Sequence, residues 1–177
     1  LTTDHKRIAW MYFATITVFF FIGGLAALLI RLELLTPAGE MVESDTYNKL
    51  FSAHGIVMVW FFLVPSIPAT MGNFLLPLML GARDLAFPKL NLLSWYIFTL
   101  GGLFTMTAVI AGGVDTGWTF YTPYSTTTDA DHWRVLLMVL AAFVLGFSSI
   151  LTGLNFIVTT HKLRAPGMGW FDMPLFI

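Results

Sequence analysis

No cysteine occurs among the 177 residues. Disulfides, thiolate metal sites and thiol catalysis are therefore excluded from this chain. Charge is scarce too: 11% of residues are Asp, Glu, Lys or Arg, against about 25% in soluble domains. The net charge of -1 leaves no basic footprint, so no nucleic-acid partner is expected. The scarcity is concentrated. Four runs, 8–30, 50–81, 92–114 and 135–160, hold no Asp, Glu, Lys or Arg at all. Each exceeds the roughly 20 residues that cross a hydrocarbon core.

What is present is apolar, 57% of the chain. A membrane interior offers the backbone no water, so each run must satisfy its own hydrogen bonds as a helix. A β-barrel is excluded, because barrel strands alternate in polarity and run only about 10 residues. The fold class is an all-α, polytopic transmembrane helix bundle in membrane lipid. Residues 1–177 form one domain with four spanning helices. Pro174-Leu175-Phe176-Ile177 reads as the start of a fifth span, which makes the chain an expected amino-terminal piece of something longer. The second run is over-long, so it should tilt, kink or protrude. Pro65, Pro68 and Pro77 are its kink sites.

Charge sets the expected orientation. Lys6, Arg7, Arg83, Lys89, Lys162 and Arg164 fall on one side, and Arg31, Lys49 and Arg134 on the other. The excess places the amino terminus inside. The outer loops are acidic, through Glu33, Glu40, Glu43, Asp45, Asp115, Asp129 and Asp131. Such residues serve either as a solvated face or as a docking surface for a basic partner. The opening Thr2-Thr3-Asp4-His5-Lys6-Arg7 is accounted for by a helix cap and a positive anchor.

Within run 50–81 one ionisable group appears, His54. Intramembrane ionisable groups are rare and usually functional. Three roles stay open for it: haem-iron ligand, proton relay, or interhelical hydrogen bond. Gly55 could admit a flat macrocycle, and Phe51, Trp60, Phe61 and Phe62 could pack its faces. Asp84 lies just past the other end of the run, about 45 Å away along a helix. By itself it reads as a loop carboxylate beside Arg83. Asn73, eleven residues earlier, and Asn91, seven later, are amides that need hydrogen bonds if buried. Ordered water can supply them, so Asp84 with these amides has the makings of a hydrated proton path. Ser148, Thr152 and Asn155 share one helical face, with Ser149 beside them. They serve either helix packing or a continuation of that water file. Arg31 closes the first span, where it either snorkels to water or bonds a polar cofactor substituent. Trp118 lies in an aromatic loop that is either an interfacial belt or the roof of a cofactor site.

Taken in order, DHK, LIRLEL, AHG, GN, PLMLGARDLAFPKLN, DTGWTFYTP, GFSSILTGLNFI and PLFI cover essentially the whole chain. Together they resemble the amino-terminal part of subunit I of the haem-copper oxidases, among which the cytochrome c oxidases are most similar. The resemblance implies an enzyme, a proton-translocating oxidoreductase that reduces dioxygen in a respiratory chain. It implies His54 as an axial ligand of a low-spin haem, Arg31 against that haem's ring substituent and Trp118 near its propionates. It implies Asp84, Asn73 and Asn91 at the entry of a proton channel, with Ser149 and Asn155 higher on the route. A high-spin haem and copper are expected on later helices, so the dioxygen-reducing centre lies outside this chain. Expected partners are the other oxidase subunits and an electron donor, cytochrome c or quinol. The expected location is a bacterial cell membrane or the mitochondrial inner membrane. Three positions depart from the family pattern. Phe143 stands where many members carry histidine, Arg83 replaces a common proline, and Pro68 is an additional proline. A haem-free proton-coupled transporter, with His54 and Asp84 as relay groups, is the more distant alternative; no internal repeat favours it.

Overall fold

A computed structural model describes residues 2–37, 39, 41–126 and 132–177. Glu40, Asp129 and Asp131 of the acidic loops lie outside the described residues. Among the described residues, four helical rods are long and apolar enough to cross a membrane: His5–Glu33, Ser44–Leu80, Pro88–Ile110 and His132–Lys162. The first is helix α1 (His5–Glu33). The second rod begins as α2 (Ser44–Ile56) and ends as α3 (Asn73–Leu80). Helices α4 (Pro88–Ile110) and α5 (His132–Lys162) complete the bundle. No strand occurs among the described residues.

The over-long second rod is accommodated by widening. Between α2 and α3 the chain makes π-helical turns at Val57–Leu63 and Ser66–Gly72. Proline lacks the N–H of an i→i−4 bond, and its ring crowds the preceding turn. An i→i+5 ladder is one response to such an interruption. Pro65 and Pro68 sit where the wide turns meet, and the Ser66 hydroxyl donates back to the Phe62 carbonyl. Pro77 behaves differently, because α3 runs through it.

Helix ends are set by local chemistry rather than by where charge stops. Asp4 caps α1 by accepting from Lys6 N at 2.8 Å. Pro88 occupies the first turn of α4, so that helix starts four residues before the uncharged run does. It stops at Ile110 because Gly112 and Gly113 take positive φ, +119° and +72°. Residues 163–177 form turns. Met168, Met173 and Ile177 pack on Leu76, Leu80 and Leu85, and Ala165 N donates to Leu80 O at 2.9 Å.

The core follows helical periodicity. On α1 a buried stripe recurs every three or four positions, His5, Ile8, Tyr12, Ile16, Phe19, Gly23, Ala26, Ile30 and Glu33, with Ala9 buried beside it. Phe19, Phe61 and Phe98 meet at the centre, with ring centroids 4.6, 5.8 and 6.4 Å apart. Gly102 makes room for this cluster, since a Cβ there would stand 2.5 Å from Phe19 Cζ and 2.9 Å from Cε2. The ring cannot swing aside without disturbing the other two. Gly102→Ala should therefore destabilise by about 1–3 kcal/mol through overpacking, read as a lower thermal midpoint of the purified complex in detergent. Gly24→Ala, with nothing within 4 Å of its added Cβ, should leave that midpoint unchanged.

Candidate functional site

His54 is half-buried on the last turns of α2, and its imidazole Nδ1 lies 2.9 Å from the Gly23 carbonyl oxygen of α1. A carbonyl can only accept, so Nδ1 carries the hydrogen and Nε2 the lone pair. This is the arrangement that orients a ligating histidine and fixes its tautomer. Among the described residues no three His, Cys, Asp or Glu side chains converge on one point. A single imidazole suits an iron whose equatorial ligands come from a macrocycle. A second feature fits such a group: Trp60 Nε1, on the wide turns just beyond, is buried with no acceptor.

The surroundings of His54 differ from expectation at four positions. Gly55 admits a protein side chain, since a Cβ there would lie 3.1 Å from Trp118 Cβ and 3.2 Å from its Cδ1. Phe61 is core, with Phe19 and Phe98 beside its ring. Phe62 tilts on Phe20, while Phe51 is exposed. The aromatic grouping that remains near His54 is Trp60 with Trp118, 6.3 Å between centroids. Arg31 is exposed at the end of α1, eight residues or about 12 Å of helix rise beyond Gly23.

Trp118 is placed by the loop after α4. Asp115 Oδ2 accepts from Asn48 Nδ2 at 3.1 Å and from the Tyr124 hydroxyl at 2.6 Å. The bond it donates to this carboxylate holds the Tyr124 phenol above its ordinary 10.0, because its loss would set two anions face to face. That protonated contact is thus complete at neutral pH and gives way only as pH rises through the raised value. Lys49 pairs with Asp45 at 2.6 Å. Glu33, expected as a solvated loop acid, is instead buried and accepts from Met41 N and Val42 N, each at 3.0 Å. Three of the loop acids, Asp115, Asp45 and Glu33, are thus occupied within the chain, and of those Glu33 is unavailable to a docking partner.

At the opposite end of the bundle, Asp84 Oδ1 accepts from Leu85 N at 2.7 Å and lies 3.2 Å from His5 Nδ1. Its partner is thus His5 of α1 rather than the adjacent Arg83. His5 is 4% exposed, and its Nε2 has no partner. Asn73 and Asn91 are fully buried. Asn73 Nδ2 donates to Ala69 O at 2.7 Å, which leaves Oδ1 unpaired, and both polar atoms of the Asn91 amide are unpaired. Asn155 is satisfied by protein, accepting from Phe87 N at 2.9 Å and donating to Phe87 O at 3.0 Å. Thr159 Oγ1 accepts from Ala86 N at 2.9 Å. Ser148, Thr152, Asn155 and Thr159 occupy one buried face of α5, as their spacing requires, and Ser149 sits exposed on the next face. Ser148, Ser149 and Thr152 border a cavity of about 190 Å³, shared with Tyr12 and Trp60.

Two participants went unnoticed in the sequence. His5 falls in phase with the buried stripe of α1, which was the available signal. Tyr12 lies on the same stripe; its hydroxyl donates to Ser94 Oγ at 2.9 Å and lies 3.3 Å from Ser148 Oγ, joining three helices.

Residues 7–177 match the family model described as cytochrome c and quinol oxidase polypeptide I. The chain is 40% identical over 176 residues to cytochrome c oxidase subunit 1 of Thermostichus vulcanus, covering 98% of this chain and 31% of that protein. It is 39% identical over 177 residues to cytochrome c oxidase subunit 1 of Corynebacterium glutamicum, covering 99% and 30%. It is 38% identical over 177 residues to the haem-copper oxidase subunit I+III of Aeropyrum pernix, covering 99% and 22%. The chain thus spans a third or less of the length of these relatives.

Proposed function

This chain belongs to the cytochrome c and quinol oxidase polypeptide I family, and from that premise we propose that it is part of the catalytic subunit of a terminal respiratory oxidase. That enzyme takes electrons from cytochrome c, reduces dioxygen, and couples the reaction to proton uptake and pumping. The observation that carries the reading is the His54 Nδ1–Gly23 carbonyl bond, which leaves Nε2 with a directed lone pair. A low-spin haem bound there supplies a one-electron iron centre. His54 would ligate the iron, Trp118 would close the adjoining helical turn, and Arg31, at the end of α1, would bond a ring substituent. Other parts of the subunit would supply the remaining haem ligand and hold the high-spin haem and copper.

Asp84 collects protons at the inner end, where the amino terminus also lies. The unpaired amide of Asn91 and the unpaired Oδ1 of Asn73 support water between the helices there. The route continues upward past Asn155 to the cavity bordered by Ser149. Delivering protons and electrons from opposite faces stores about 2.3 kcal/mol per charge for each 100 mV of membrane potential. The other oxidase subunits are its partners, in a bacterial cell membrane or the mitochondrial inner membrane. Quinol is the alternative donor, and the family name covers both; copper in a partner subunit would select cytochrome c, and bound quinol the alternative.

A reduced-minus-oxidised visible spectrum of the complex purified through this chain, with and without carbon monoxide, tests the proposal. The expected result is a low-spin band together with a carbon monoxide-reactive high-spin haem. A low-spin band with no carbon monoxide response would leave an electron-transfer cytochrome. Absence of haem, in a preparation shown not to have lost it, would leave the haem-free transporter.

A further inference from the structure

The outer half of α2 meets the loop after α4 in register. Asn48, Ser52 and Gly55 fall at i, i+4 and i+7, one stripe along the helix. Asn48 holds Asp115, Ser52 holds the next two residues, and Gly55 receives Trp118. Ser52 is the central link. It is 1% exposed, and its Oγ accepts from Thr116 N at 3.3 Å and from Gly117 N at 2.9 Å. Two successive backbone donors therefore end on one hydroxyl. Nothing else in the stripe fixes the main chain immediately before Trp118. Gly117 takes φ +66° there, a left-handed turn that glycine adopts without steric cost.

His54 lies on the same turn of helix, and its face toward Gly23 stands about 100° from the face that Gly55 presents to Trp118. The imidazole is thus held from one flank by α1, and its helical turn from the other by the loop. We propose that Ser52 is a positioning residue for the haem site: by fixing the main chain at 116–117 it seats the Trp118 indole on Gly55, and so sets the environment of the group that His54 ligates. The inference rests on the haem reading above. It assigns a role to a hydroxyl that the chemistry itself does not require, two residues from the ligand and on a different face.

The test uses the intact complex carrying Ser52→Ala, Ser52→Thr or Trp118→Leu, with two independent readouts. Amide hydrogen exchange at Thr116 and Gly117 needs no haem signal. It should quicken about tenfold in Ser52→Ala, where two buried donors lose their acceptor, and should stay at the wild-type rate in Trp118→Leu. The reduced low-spin band should shift in Ser52→Ala and in Trp118→Leu. Ser52→Thr, which keeps the hydroxyl, should restore both readouts. Faster exchange with an unmoved band in Ser52→Ala would reduce Ser52 to a loop anchor and overturn the proposal. Unchanged exchange would overturn it at the first step. A wild-type complex with no low-spin band would instead refute the haem reading, and the exchange result would still report on the loop.

Discussion

Replacing His54 by alanine is expected to remove the low-spin haem signal completely from the assembled complex. The imidazole is the one ionisable group in the run 50–81, and its Nδ1 is already committed to the Gly23 carbonyl. Only Nε2 remains to bind, so no rearrangement is needed before it can ligate. Alanine removes the ligand without adding bulk. The rest of the helix keeps its packing, because the neighbouring buried residues, Ser52, Ile56 and Val57, are untouched. Free imidazole supplied to His54→Gly should return part of the band by entering the space left behind. That rescue separates loss of a ligand from loss of the fold. A normal low-spin spectrum in either variant without added imidazole would end the assignment of His54.

The second large effect is expected at Asp84. Asparagine has nearly the same shape and still accepts from Leu85 N and from His5 through its carbonyl oxygen, so the turn should hold. What disappears is a group that can take up and release a proton at the mouth of the route. Positioned proton-transfer groups contribute roughly 100-fold to 10,000-fold; Asp84→Asn should slow steady-state turnover about 100-fold and suppress proton release on the outer side. The low-spin band should remain in place. Proteoliposomes report both quantities together, and normal turnover with normal pumping would remove Asp84 from the pathway. Buried amides make the proposal specific. Unpaired polar atoms in the interior are costly, and Asn91 presents two of them and Asn73 one.

The fold was readable because a membrane interior tolerates few answers. Four uncharged runs became four rods, and the face of α5 carrying Ser148, Thr152 and Asn155 emerged as its spacing dictates. The ends were less readable. Hydropathy marks where charge stops, whereas Pro88 starts α4 and Gly112 with Gly113 stops it. His54 stood out from its own surroundings, as a lone imidazole in an apolar run. His5 did not, because its importance comes from Asp84, 79 residues away, and because a basic segment at a membrane edge is already explained by anchoring. Glu33 was hidden for the same reason: an acid beside a loop looks solvated until its phase on the buried stripe of α1 is followed to its end. Gly55 was readable as a site of close approach, but the partner, Trp118, comes from a loop whose path no local pattern gives.

The short connection between α3 and α4 is tied at three of its residues by two other helices: Asp84 to α1 through His5, Ala86 and Phe87 to α5 through Thr159 and Asn155. Surface connections are ordinarily where a protein accepts extra residues. This one works like a keystone, wedged between members that reach it from either side. One added residue between Asp84 and Ala86 would put the tie to α1 out of step with the ties to α5, so the length there is under tighter control than the identity of its exposed side chains.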